Sequence, residues 1–261
     1  MSADGNLVWL FVVLFLLAGA VLIALAYIAH KVRRVHLMTY RLSNEISSSA
    51  AMLYRQMEAL QALYAELDLG RALPPTRGWS ASPDFLLLIA SHARAARPRM
   101  VLECGSGTST VVIARALQLN GVGHVHSLEH DPTFAAETRE HLRRNGLTEW
   151  ATVIDSPLRP HRLEAQEYSW YEIERIPDGQ IDLLVVDGPP MPIGLEARYP
   201  AGPVLFPRLN PGAVVFLDDA DRMDEKRIVE RWQGKFEKMQ VRRHDCEKGC
   251  VSLMIANELS G

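Results

Sequence analysis

The sequence predicts an α/β protein built on a doubly wound, mainly parallel sheet, preceded by an N-terminal transmembrane helix and a helical linker. Three observations carry that prediction. From residue 100 onward, short apolar runs alternate with segments of helical period, the pattern of strands joined by crossover helices. The first run belongs to Val101–Thr110, VLECGSGTST, in which an apolar stretch meets an acid, a glycine-rich turn and small hydroxyl residues. Five apolar runs then end in an acid: Glu103, Glu129, Asp155, Asp187 and Asp218. Parallel strands share one carboxyl edge, and ligands of such sheets bind just outside it.

A chain of 261 residues allows one large domain and a short appendage. A net charge of −3 gives no reason to expect nucleic acid as a partner. Cys104, Cys246 and Cys250 form no CxxC pair, and Cys246-x-x-x-Cys250 lacks a second pair to complete a tetrahedral metal site, so they read as reduced thiols.

Leu7–Ile28 is uncharged and apolar, long enough as a helix to cross a hydrocarbon core of about 30 Å. Trp9 and Tyr27 stand near its ends, where amphipathic rings favour the membrane interface. A signal peptide carries basic residues before a shorter run. Here Asp4 precedes the run, while Lys31, Arg33, Arg34 and Arg41 follow it. Residues 1–30 therefore read as a retained single-pass anchor with the remainder facing the cytoplasm.

Residues 31–77 read as a helical linker. Ile46, Ala50, Leu53, Met57, Leu60, Tyr64 and Leu67 recur at steps of four and three, a coiled-coil-like seam of about three heptads. Such a seam either pairs with a second copy, giving a homodimer through 46–67, or packs on the domain that follows. Leu73–Trp79, with two prolines and a glycine, breaks the helix.

The main domain, 78–261, opens with Ser82 as an N-cap and Pro83 at the first helical position, then a helix over Phe85–Ala96. Strand Met100–Glu103, helix Ser109–Leu119, strand His124–Glu129, helix Pro132–Asn145 with Gly146 as its stop, and strand Ala151–Asp155 follow. Residues 156–179 read as irregular and aromatic. Strand Ile181–Val186 leads to Asp187-Gly188-Pro189-Pro190, and strand Ala213–Leu217 to Asp218-Asp219. A helix over Glu225–Trp232 and two strands within Lys238–Ala256, turning near Lys248-Gly249, complete the chain.

The chemistry begins at the turn. Gly105 and Gly107 admit a ligand close to the backbone, and the helix after them offers unpaired N–H groups and a positive dipole end. Glu129 follows at about the distance at which an acid takes ribose hydroxyls in nucleotide-binding folds, a task suited to a carboxylate because it accepts two hydrogen bonds. Glu103 against the turn repels phosphate and welcomes a cation. Thr110 stands where a dinucleotide fingerprint wants a third glycine. A ligand with a ribose and a positive charge fits these residues better than NAD does.

On those residues the sequence resembles the class I methyltransferases that use S-adenosylmethionine, over roughly residues 78–256, and the sheet is then of their Rossmann-like type. Glu103-Cys104-Gly105-Ser106-Gly107 looks like the family's first motif around the methionine part of the cofactor. Glu129 matches the ribose-binding acid, and Asp155 with Ser156 the position that commonly contacts the adenine. Ile181–Gly188, IDLLVVDG, and Leu209–Asp219, LNPGAVVFLDD, look like the fourth- and fifth-strand motifs. The stretch is also similar to catechol-type O-methyltransferases, which implies a divalent cation such as Mg²⁺ held by Asp187, Asp218 and Asp219. That family usually has Asp-Asn and a lysine where this chain has Asp218-Asp219 and Pro189-Pro190.

The resemblance implies transfer of a methyl group to an acceptor, with oxygen expected. Either a metal lowers the acceptor's pKa or one carboxylate, Asp187, acts as general base. His130 reads as a cofactor-rim residue; Tyr168, Trp170 and Tyr171 read as satellite packing or an acceptor pocket. Arg198 reads equally as a ligand for an anionic acceptor or as a solvated surface residue. Two other functions remain open: a membrane-tethered scaffold without catalysis, and an NAD-dependent enzyme.

Overall fold

The computed structural model describes residues 3–76, 78, 80–236 and 238–255 and comprises two units, Met1–Tyr54 and Arg55–Gly261. The first unit consists of helix α1 (Ala3–Leu67) up to Tyr54. Its side chains Trp9, Phe15, Leu22 and Ile23 are exposed. The helix contains an 18-residue window of mean hydropathy 3.0, long and apolar enough to cross a membrane.

The second unit is a seven-stranded sheet. Its strands are β1 (Met100–Cys104), β2 (His124–Glu129), β3 (Ala151–Asp155), β6 (Ile181–Val186), β7 (Leu209–Asp218), β8 (Met239–His244) and β9 (Cys250–Ile255). A separate hairpin pairs β4 (Leu158–Leu163) with β5 (Gln166–Tyr171). The sheet order is β3-β2-β1-β6-β7-β9-β8. The first five strands are parallel, and β9 runs antiparallel to both β7 and β8. The chain lays down β1, β2 and β3 in one direction, then returns to place β6 on the other side of β1. That reversal opens a crevice at the carboxyl ends of β1 and β6.

Successive strand residues point to opposite faces, and both faces are covered. Val101, Leu183, Val185 and Phe216 join one core with Phe85 and Ile89 of α2 (Pro83–Ala96), Val112 and Leu117 of α3 (Thr108–Asn120), and Leu142 of α4 (Pro132–Arg144). Leu102, Leu184, Val186, Val215 and Leu217 join the other, with Leu205 of α5 (Ala201–Leu205) and Ile228 and Trp232 of α6 (Met223–Lys235). Burial on both faces explains why these strands read as unbroken apolar runs.

Three local readings change. Residues 158–171 form a hairpin, not irregular chain: β5 alternates, with Tyr168 and Trp170 turned inward. No Asn-Gly or Asp-Gly pair marks its turn, where Glu164 takes φ 58, so the usual hairpin signal is missing. Ser82 does not cap α2 with its side chain; its hydroxyl donates to Asp84 Oδ1 at 2.6 Å, and that oxygen accepts the Phe85 N–H at 2.9 Å. The proposed seam gives way to a different face. From Arg55 onward, α1 buries Gln56, Ala59, Leu63 and Leu67, while Met57 stays exposed, as Ile46 and Leu53 do in the first unit. Those buried turns pack on their own domain: Leu63 and Leu67 join the α2–α3 core, and Gln56 Nε2 donates to Asp84 Oδ2 at 2.7 Å. Burial follows the 3.6-residue stripe of a helix on a globular core and not the 3.5-residue coiled-coil period.

Candidate active site

At the carboxyl ends of β1 to β3, small residues shape a cradle and acids hold it together. Gly105 has φ 94 and Gly107 φ 156, conformations that L-residues with a Cβ avoid. A Cβ on Gly107 would meet nothing within 4 Å, so the space above the turn is open. Glu103 lies fully buried beneath it. Its Oε2 accepts Thr110 Oγ1 at 2.6 Å and the Ser127 hydroxyl, while Oε1 has no partner among the described residues. Thr110 Oγ1 in turn accepts the Gly107 N–H at 3.1 Å. Thr110, the residue in the third glycine's place, therefore ties the first turn of α3 to the acid. Burial drives the Glu103 carboxyl upward, against the hydroxyl donors that favour its charge.

Glu129 clamps the same turn from β2. Its Oε2 accepts both the N–H and the hydroxyl of Ser106 at 2.9 Å; its Oε1 accepts the N–H groups of His130 at 2.8 Å and Asp131 at 3.0 Å. Burial alone would raise its pKa, but the donors from His130, Asp131 and Ser106 outweigh that and hold it below the ordinary value. His130 Nδ1 lies 3.0 Å from Glu129 Oε1, and this neighbour raises the histidine against the opposing effect of burial. Asp155 pairs with Glu129 in strand register but is exposed, 2.9 Å from Arg139 Nη2. Ser156 is buried, and its N–H donates to Glu129 O at 2.7 Å.

At the ends of β6 and β7 the acids have a different partner. Arg198 is 3% exposed. Its Nη2 donates to Asp187 O and Asp187 Oδ1, both at 3.1 Å, and to Asp219 Oδ2 at 2.8 Å; its Nη1 donates to Asp218 O at 2.9 Å. Arg222 Nη1 adds a second cation 2.9 Å from Asp219 Oδ2. Burial, with Asp219 adding to it and Arg198 opposing, pushes Asp187 up to about 7. Asp218 is fully buried with neither carboxylate oxygen hydrogen-bonded among the described residues. Burial, then Asp187 and Asp219, raises it well above its ordinary value.

The two groups of residues meet at the crevice. Asp187 N–H donates to Cys104 O at 3.0 Å, and a Cβ on Gly105 would lie 3.4 Å from the Asp187 carbonyl. One oxygen from each of Asp187, Asp218 and Asp219, the three acids named from the sequence, falls within 4.8 Å of the others. A divalent ion does not fit them as they stand, because the Arg198 guanidinium is already bonded to two of the three. Arg198 is thus not the solvated surface residue that was one of its two readings. The available signal was the acid excess itself: three adjoining carboxylates, without the lysine of the resembled family, call for a cation from elsewhere in the chain. Of the aromatics read as satellite packing or an acceptor pocket, Tyr171 reaches the crevice. Its buried hydroxyl stands where a Cβ on Gly188 would come within 2.4 Å of it, making it part of the crevice floor. Trp170 and Tyr168 belong to the core beside it.

Residues 102–220 match the model of a methyltransferase domain family. Among curated proteins, none matches the chain. Solved structures of the same fold include the methyltransferase PaMTH1 of Podospora anserina, bound to SAH, at 14% identity and a TM-score of 0.57, covering 82% of this chain and 97% of that one. The O-methyltransferase TomG of Streptomyces achromogenes, in complex with SAM, has 18% identity and a TM-score of 0.51, with 77% and 89% covered. Cofactor-bound Rv0187 from MTB has 22% identity and a TM-score of 0.51, with 77% and 91% covered.

Proposed function

We propose that this chain is a class I S-adenosylmethionine-dependent methyltransferase that methylates an oxygen of its acceptor, with Asp187 as general base, while held to a membrane by residues 1–30. The observation that carries the reading is the contact of the two halves of the crevice, where the open glycine turn and Asp187 stand against each other at Gly105. S-Adenosylmethionine supplies an electrophilic methyl group on a sulfonium. The residues of the β1–β3 half suit such a cation with a ribose. Glu103 offers a buried unpartnered carboxylate oxygen beneath the turn, and Gly105, Ser106 and Gly107 form its backbone wall. Glu129 serves the ribose, and Asp155 and Ser156 the adenine rim. All four lone-pair directions of Glu129 are engaged by protein donors, so ribose binding requires one to leave. Ser106 Oγ is the donor suited to that, since Thr138 Oγ1 lies 3.2 Å from it as an alternative partner.

Asp187 retains one carboxylate oxygen outside the Arg198 bond, and its pKa of about 7 matches a base that works near neutrality. Arg198 fixes its orientation, which keeps the base positioned for the acceptor oxygen. The apolar length of Leu7–Ile28 and the basic residues Lys31, Arg33, Arg34 and Arg41 after it support an anchor with the crevice on the cytoplasmic side.

Calorimetry of the full-length protein in detergent tests the cofactor half: S-adenosylmethionine binds the wild type and binds Glu129→Ala at least about tenfold more weakly, the loss of roughly one charged hydrogen bond. A folded wild type that takes up no S-adenosylmethionine ends the proposal. For the acceptor half, mass spectrometry of products from hydroxyl, amine and thiol compound sets reads the atom methylated, and methylation confined to nitrogen or sulfur refutes the oxygen assignment.

A further inference from the structure

Metal-dependent O-methyl transfer would require Asp187, Asp218 and Asp219 to share one divalent ion. Their oxygens converge, yet the cation among them comes from the chain. Arg198 Nη2 bonds to Asp187 Oδ1 and Asp219 Oδ2. Two further contacts, to the carbonyls of Asp187 and Asp218, are to main chain, so the guanidinium is seated by the backbone as well as by the acids. Glu225 Oε1 lies 3.8 Å from Nη1 on the far side. A guanidinium does not lose its proton in proteins. A divalent ion entering here would displace it from two carboxylates and then lie beside a buried, unneutralised positive charge. Mg²⁺ also keeps several waters and demands near-octahedral oxygen geometry, whereas Arg198 Nη2 already bonds to an oxygen of Asp187 and of Asp219.

We infer that Arg198 is the built-in cation of this acid cluster, standing where related enzymes would place a divalent metal, and that the acceptor is therefore engaged through a single hydroxyl and not through two adjacent oxygens chelated to an ion. Three of the four Nη hydrogen bonds come from Nη2 and one from Nη1. The Nε is buried and has no partner among the described residues. The acceptor clause rests on the methyl-transfer reading; the cation assignment does not.

Mn²⁺ titration followed by electron paramagnetic resonance, on the full-length protein in detergent, tests this. The wild type leaves the Mn²⁺ signal free. Arg198→Ala gains one ion per chain, bound roughly a hundredfold or more tighter than by the wild type, as expected when a buried acid pair loses its cation, and Arg198→Ala/Asp187→Asn loses that gain. Stoichiometric Mn²⁺ binding by the wild type that disappears in Asp187→Asn overturns the assignment, as does a folded Arg198→Ala protein that gains nothing. If Arg198→Ala does not fold, the wild-type titration decides alone. S-Adenosylmethionine binding to chelator-treated wild type is measured in parallel. Its absence removes the methyl-transfer reading and leaves the Mn²⁺ result standing.

Discussion

The two halves of the crevice neutralise their acids by opposite means. Under the glycine turn, Glu103 and Glu129 are held mainly by neutral donors, the hydroxyls of Thr110, Ser127 and Ser106 and backbone N–H groups, with His130 Nδ1 3.0 Å from Glu129 as the one titratable neighbour among these contacts. These stabilise a negative charge without cancelling it, so the β1–β3 half keeps an attraction for a cationic ligand. At the ends of β6 and β7, Asp187 and Asp219 are bonded to a full positive charge. In that half two arginines, Arg198 and Arg222, already stand against the acids. Acids at equivalent strand ends therefore do different work, and the partner, not the acid, shows which.

The contrast breaks most readily at Arg198. Arg198→Ala strands buried carboxylates and is expected to cost about 3–5 kcal/mol, lowering Tm by about 10 °C for a domain of this size; a thermal melt measures it. Glu103→Gln, which keeps the acceptor for Thr110 and Ser127, is far milder in the same melt. Next in size is the floor where the halves touch. Gly188→Ala drives a methyl into the Tyr171 hydroxyl and against Gly105, and overpacking of this kind costs about 2 kcal/mol. Tyr171→Phe in the same background recovers about half of that, read by denaturant midpoints, because the hydroxyl is only one of the two obstacles.

The pH dependence of Asp187 sharpens the comparison further. As a base it must be ionised, so methyl transfer is expected to fall as pH drops below about 7, by about tenfold per unit. Stability moves the other way. The folded chain holds this proton up to about pH 7, whereas the unfolded chain releases it near pH 4. Between those values the unfolded state binds fewer protons, so this residue's contribution to stability declines as pH rises. Asp187→Asn removes both slopes, in pH–rate profiles and in melts taken across the same range. The smallest effect belongs to Asp155. It is exposed and pairs with Arg139 at the surface, so Asp155→Ala is expected to change stability by less than about 0.5 kcal/mol, and a calorimetric titration shows whether S-adenosylmethionine affinity falls independently of it.

Much of this was legible in the residues. The parallel strands announced themselves because burial on both faces leaves apolar runs that only an acid or a turn interrupts, and Glu103, Glu129, Asp187 and Asp218 do share one edge. What stayed hidden were relations that local pattern does not encode. The hairpin Leu158–Tyr171 turns on Glu164 at positive φ, a residue without turn chemistry. Arg198 lies in an irregular stretch before α5, and nothing adjacent to it marks burial; its place is set by acids on two other elements. On α1 the packing alternative and Leu67 hold, but the stripe turns by one residue upstream, where Leu60 and Tyr64 stand partly buried beside Ala59 and Leu63.

That stripe bears on where this enzyme can be cut. Leu63 and Leu67 are wholly enclosed by the domain, and Arg115 Nε donates to Leu67 O at 2.9 Å. The helix that is long and apolar enough to cross a membrane buries one face of its last turns in the α/β domain. A version without the apolar run has to begin upstream of Arg55. One begun at residue 78, where the sequence motifs start, removes Leu63 and Leu67 from the core they share with Phe85 and Ile89 and exposes apolar surface.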